Sequence, residues 1–205
     1  MNKDEKIKAH RALADKLISK ETEIAEEITK TIIDFYEKQS TDWQSLYEDI
    51  IDFMYISLKQ TYKITIQEGQ KIYDLENTDI TGITKKDITP YLYDKDNLTL
   101  EERVKQYITE AKEKGEYDKV SRDALVFKEI RILDNETLVV SHKLLKQKVK
   151  TEYGMVVGGG GCNRSCCSTQ TSEWKPVDEI DEPPYHPNCT CEIIYGDPEK
   201  DDETE

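Results

Sequence analysis

Residues 3–39 read KDEKIKAHRALADKLISKETEIAEEITKTIIDFYEKQ, a run without glycine or proline. Ile7, Leu13, Leu17, Ile24, Ile28, Ile32 and Phe35 recur in it at mostly three-, four- and seven-residue steps, which places them on one stripe of a helix. Lys16, Lys20, Glu23, Glu26, Glu27 and Lys30 stand between them, the pattern of a solvated face with charge pairs one turn apart. A helix of this kind must lay its stripe against another element, and the next stretch supplies one. Ser40, Thr41 and Asp42 favour helix caps, and a second helical pattern runs from Trp43 to about Tyr73. Its stripe holds Trp43, Leu46, Tyr47, Ile50, Phe53, Met54, Ser57, Leu58, Thr61 and Ile64. Two long helices joined by a short polar turn predict an antiparallel hairpin over residues 1–75.

Beyond the hairpin, residues 76–153 read as a linker followed by a helical domain. Asp74 to Pro90 is rich in Asp, Asn, Thr and Gly, with isolated Ile residues. Asn97 to Thr99 can cap a helix over Leu100 to about Lys112, which ends at Lys114-Gly115. Two further helices are expected. Lys119 to Leu133 carries Val120, Leu125, Val126, Ile130 and Leu133, and Glu136 to about Tyr153 carries Leu138, Val139, Leu144, Leu145 and Val149. Met155-Val156-Val157 then reads as a short strand entering the glycines 158–161. The expected fold class is α+β and mostly α-helical, with a small Cys/His-stapled module containing β-structure over residues 154–196. Asp197 to Glu205 reads as an acidic, disordered tail.

The chain has 205 residues, 43 acidic against 29 basic, for a net charge of −14, and 36% apolar residues. A mean hydropathy of −0.76 makes a large, self-sufficient enzyme core an unpromising reading. Phosphate neutralisation needs clustered Lys and Arg, so the acid excess argues against strong direct nucleic-acid binding, and against anionic membrane surfaces for the same reason. No window approaches the about 18 apolar residues of a membrane-spanning helix, and Met1 to His10 is charged, unlike a secretory signal.

All five cysteines, Cys162, Cys166, Cys167, Cys189 and Cys191, lie in a late, short stretch with His186. In a reducing cytosol such a cluster favours a metal over a disulfide framework. Zinc takes four ligands in a tetrahedron, commonly as two close pairs. Cys162 with Cys166 or Cys167 offers one pair. His186 and Cys189, stiffened by Pro187, offer a second. Cys191 follows on an expected strand from Thr190 to Tyr195, where alternation puts it on the same side as Cys189, so either is able to ligate. Structural Zn2+ held among Cys162, Cys166, His186, Cys189 and Cys191 is the leading expectation. A packed cluster of thiols, or one or two disulfides formed outside the cell, are the alternatives. No acid or base stands at a fixed short spacing from His186, so no catalytic residue is expected. His10 and His142, on helices among Lys and Arg, are expected to be solvated. The glycines at 158–161 lack the Lys-Ser/Thr that follows a nucleotide-binding loop.

From Trp174-Lys175-Pro176-Val177-Asp178 through Pro183-Pro184-Tyr185-His186-Pro187-Asn188-Cys189-Thr190-Cys191, the chain resembles the C-terminal domain of phage Mu F-like minor head proteins, the head morphogenesis family of tailed phages. Thr190 stands where the family more often has Arg. Leu98-Thr99-Leu100-Glu101-Glu102-Arg103 is similar to a helix start in that family, and Lys150-Thr151-Glu152 stands where many members carry Arg-Thr-Glu. The family's C-P-x-C knuckle is replaced by Cys162-Asn163-Arg164-Ser165-Cys166-Cys167. The resemblance implies a non-enzymatic minor structural protein of the virion, at the portal vertex or capsid interior, made in the host cytoplasm. Its partners would be the portal protein and the major capsid protein, and its task head morphogenesis, DNA packaging or ejection. A reading from another class is a small zinc-dependent or Cys/His toxin-like hydrolase using His186 and a cysteine.

Overall fold

The computed structural model describes residues 1–75, 98–158, 173–181 and 191–201. Helix α1 spans Lys3–Glu37 and α2 spans Trp43–Ile72. The α1 start is fixed by a capping box in which Asn2 and Glu5 exchange side-chain and backbone bonds, each at 3.0 Å. Asp42 caps α2 through the Ser45 N–H. The two helices form the expected hairpin. Leu13, Leu17, Ile24, Ile28, Ile32 and Phe35 are buried on α1, and the last four pack with Leu46, Ile50, Met54 and Leu58 of α2. At the turn, the rings of Phe35 and Trp43 lie 4.7 Å apart.

Helix α3, Leu100–Lys114, begins at a Thr99–Glu102 capping box and ends at Gly115, whose φ of 69° is the left-handed conformation that glycine adopts without strain. It packs Val104 and Ile108 into the hairpin core. The next segment differs from the expectation of two separate helices. Helix α4, Lys119–Asp123, runs through a π-helical turn, Ala124–Glu129, directly into α5, Ile130–Val149. The break expected between Leu133 and Glu136 is absent: α5 is continuous there, and the Asp134 carboxyl accepts from hydroxyls of α2. Val120, assigned to the inner stripe, is 78% exposed, because the π turn rotates this first segment relative to α5. Leu125, Val126, Ile130 and Leu133 enter the core as expected. Helix α5 stops at Val149, earlier than Tyr153, where Lys150 takes a left-handed φ of 48°.

Strand β1, Tyr153–Val157, is the middle of a three-stranded antiparallel sheet in the order β2-β1-β3, with β2 at Lys175–Pro176 and β3 at Glu192–Gly196. Met155 pairs with Ile194 and Val156 with Ile193. Alternation divides the side chains. Val156, Cys191, Ile193 and Tyr195 pack with Val177, Tyr73 and Val149, whereas Met155, Val157 and Ile194 pack with Ile7 and Trp174. The fold is thus α+β and mostly helical, with the sheet set against the open end of the hairpin. The expected acidic tail is helical at its start: Pro198–Asp201 forms α6 and buries Asp201. The expected linker falls mostly within residues 76–97, outside the described residues, as do residues 202–205.

Candidate functional site

Of the expected zinc ligands, Cys162, Cys166, His186 and Cys189 lie outside the described residues, together with Cys167. Cys191 is described. It precedes β3 and is buried, at 7% exposure, beside Val156, Val177, Ile193 and Tyr195. Among the described residues no group of three His, Cys, Asp or Glu side chains is suited to hold a metal ion.

The polar chemistry that the structure does assemble lies where α1, α2 and β3 meet. Lys6 and His10 are buried on the same stripe of α1 that carries Leu13 and Leu17. Lys6 Nζ lies 2.9 and 2.8 Å from the two carboxylate oxygens of Asp201 and donates to the Tyr195 carbonyl at 3.2 Å. His10 Nδ1 lies 2.5 Å from Glu192 Oε2, and its Nε2 lies 3.0 Å from the Tyr73 hydroxyl. That hydroxyl accepts the Tyr195 N–H at 3.1 Å and reaches the Ile193 carbonyl at 3.5 Å. Burial holds the Tyr73 phenol well above its ordinary range, so it keeps its proton and can donate. In the tautomer whose Nδ1–H donates to Glu192, Nε2 accepts from the Tyr73 hydroxyl, which in turn accepts the Tyr195 N–H. His142 stands edge-on to His10, with ring centroids 6.4 Å apart and its Nε2 shielded from solvent. The expectation that both histidines are solvated is therefore corrected: His10 is 3% exposed and His142 is half-buried against it.

Two edges of this arrangement matter. The groups at the outer edge of β3, Ile193 O, Tyr195 N and Tyr195 O, meet Tyr73 and Lys6 rather than another strand, and this blocks pairing with a foreign strand. Thr151 Oγ1 donates to the last carbonyl of the strand, Gly196 O, at 2.6 Å. Beside the network opens a cleft of about 560 Å³, lined by Lys6, Tyr73, Lys150, Thr151, Tyr153 and Asp201.

A second polar cluster crosses the bundle further along. Asp134 accepts from Ser57 Oγ at 3.1 Å and Thr61 Oγ1 at 2.9 Å, both on the same oxygen. Arg131 is paired with the buried Glu21 of α1 at 2.8 Å. Burial, and then the Glu21 charge, push the Asp134 carboxyl up to about 7.

Sequence reasoning missed Lys6, His10 and Glu21 on α1, Tyr73 at the end of α2, and Glu192 and Asp201 near the end of the chain. A signal existed for the first three. The α1 stripe steps through positions 6, 10, 13, 17, 21, 24, 28, 32 and 35: His10 and Glu21 fill the longer gaps between Ile7, Leu13, Leu17 and Ile24, and Lys6 extends the same face one turn before His10. No protein-family model matches the chain, and no curated protein and no solved structure matches it.

Proposed function

We propose that the chain is a minor structural protein of a tailed-phage head, not an enzyme, which acts at the portal vertex or capsid interior in head morphogenesis, DNA packaging or ejection. The observation that carries this reading is the segment Pro183-Pro184-Tyr185-His186-Pro187-Asn188-Cys189-Thr190-Cys191. It resembles the closing motif of phage minor head proteins, and its last residue is buried on the sheet whose β3 edge is tied to the helical hairpin. A small cysteine-rich module anchored to a long, mostly charged hairpin suits assembly: the hairpin offers extended helical faces to the portal and major capsid proteins, and the module fixes the far end. In this reading Zn2+ is structural and is held by four of Cys162, Cys166, Cys167, His186, Cys189 and Cys191. It closes a segment with too little apolar material to hold itself together.

The test has two readouts. Elemental analysis of the full chain is expected to give one zinc per molecule, with a coordination shell made only of sulfur and nitrogen. A metal-free protein whose thiols titrate as disulfides overturns the zinc assignment, and a shell with an open water position points instead to zinc-assisted hydrolysis. Co-expression with the portal and major capsid proteins of the phage that encodes the chain is expected to yield particles containing it. Its absence from purified procapsids and virions overturns the head-protein reading.

A further inference from the structure

Arg131 is one cation between two buried carboxylates. It stands one turn before Asp134 on α5, and across the bundle its Nε lies 2.9 and 2.8 Å from the two carboxylate oxygens of Glu21 on α1. The Arg131 and Glu21 side chains keep 25% and 11% exposure, so this pair lies at the rim of the bundle, whereas Asp134 lies inside it. Both hydroxyls from α2 donate to Asp134 Oδ1, which leaves Oδ2 to carry the proton.

The groups that act on Asp134 are Glu21 from α1, Ser57 and Thr61 from α2, and Arg131 from its own helix. The other charges on these elements are engaged or turned outward. Lys20 of α1 pairs with Glu23, and Lys59 and Lys63 of α2 are exposed. In the π turn, Glu129 lies 2.7 Å from Arg103 of α3, and Lys128 is exposed. Two acids and one base are neutral together only while one acid keeps a proton. Burial raises the Glu21 carboxyl as well, even with Arg131 against it, and with the guanidinium drawn to Glu21 the proton falls to Asp134.

We propose that Arg131 is a two-position arm, tying α5 to Glu21 of α1 while Asp134 is protonated and turning to Asp134 once that proton is lost to solvent, so that this α1–α5 tie is a proton-operated switch. The change is local. The α1 helix keeps its apolar packing on α2 through Ile24, Ile28 and Ile32, and Glu21, already at the rim, turns to water. Both positions of the arm neutralise one carboxylate, and the pH decides which. The proposal does not depend on the virion role.

Nuclear magnetic resonance of the full-length chain tests it. With the Asp134 carboxyl carbon assigned through Asp134→Asn and the Arg131 Nε through Arg131→Lys, the two resonances are expected to titrate together with one midpoint. In Asp134→Asn the Arg131 resonance is expected to stay fixed over the same pH range. Glu21→Gln releases the guanidinium to Asp134, whose proton affinity is then expected to fall at least about tenfold. As the parent passes through the midpoint, amides around Glu21 are expected to lose hydrogen-exchange protection beyond the change in intrinsic rate, while those around Phe35 keep theirs. Melting profiles control for the folding of each variant, and the parent's own titration stays decisive if Glu21→Gln does not fold. An Arg131 resonance that does not follow Asp134 overturns the proposal, because the guanidinium then stays with Glu21. So does a smaller fall in proton affinity in a folded Glu21→Gln, or unchanged protection around Glu21.

Discussion

Asp134 is a carboxyl in the middle of a helix bundle whose nearby cation, Arg131, is already engaged with Glu21. Its folded value of about 7 lies above its ordinary value of 3.8, so the folded chain retains a proton that the unfolded chain releases between about pH 4 and pH 7. Stability contributed by this group is full below that window, declines as pH rises through it, and is flat above. Asp134→Asn keeps an oxygen to accept from Ser57 and Thr61 and removes the charge. The variant is expected to be more stable than the parent at pH 8, by on the order of 2–4 kcal/mol, and to lose the parent's decline between pH 4 and 7; urea titrations at several pH values measure both. Residues of this kind were hard to read in the sequence. Ser57 and Thr61 stand on the expected inner stripe, but Asp134 falls between the two expected helices, Lys119 to Leu133 and Glu136 to about Tyr153, and so belongs to neither stripe. Only the two hydroxyls that face it from α2 reverse that reading. The solvated reading of His10 failed similarly: its flanking residues Lys8 and Arg11 are exposed, and a position's neighbours in sequence lie on other faces of a helix.

Strand β3 shows how an element depends on atoms far from it in the chain. It is an edge strand, yet its outer groups are occupied by Tyr73 and Lys6, and the ion pair that holds Lys6 there needs Asp201 of α6. Gly196 makes room for that pair: a Cβ built on it would lie 1.8 Å from Asp201 Oδ2 and 2.9 Å from Lys6 Nζ. Gly196→Ala is therefore expected to displace Asp201 and leave Lys6 buried without its carboxylate, at a cost of about 3–5 kcal/mol. Hydrogen exchange is expected to show lost protection in the first turns of α1 and in β3, with the hairpin turn around Phe35 and Trp43 unchanged. Equal loss along all of α1 would contradict this local account. The helices themselves were legible because their apolar period, caps and the glycine after α3 are local signals. The joining of α4 to α5 was not, since a π turn carries no glycine or proline to announce it. The strand at 155–157 was legible from its apolar run, whereas the closure of β3 was not, because its partners stand over a hundred positions away.

At the scale of the molecule, the hairpin and the sheet share buried polar contacts rather than a flexible joint, so they are expected to unfold together. Single-tryptophan variants separate the two ends, Trp43 reporting on the hairpin turn and Trp174 on the sheet. Their urea transitions are expected to coincide with each other and with the loss of helix measured by circular dichroism; two separated midpoints would show independent units. The architecture follows from the periodicity quoted at the outset, while the zinc reading rests on residues of which the structure describes Cys191 alone. Lys6 and Asp201 are separated by 195 positions, and His10 and Glu192 by 182. During synthesis the first helix leaves the ribosome long before the strand that neutralises it, and its first turns wait while more than 180 further residues are made, with a lysine and a histidine on the face they must bury. Docking of those first turns thus signals that synthesis has passed residue 201, while the rest of the helix is able to pack on α2 earlier, and a chain stalled before that point would present the lysine and histidine to solvent.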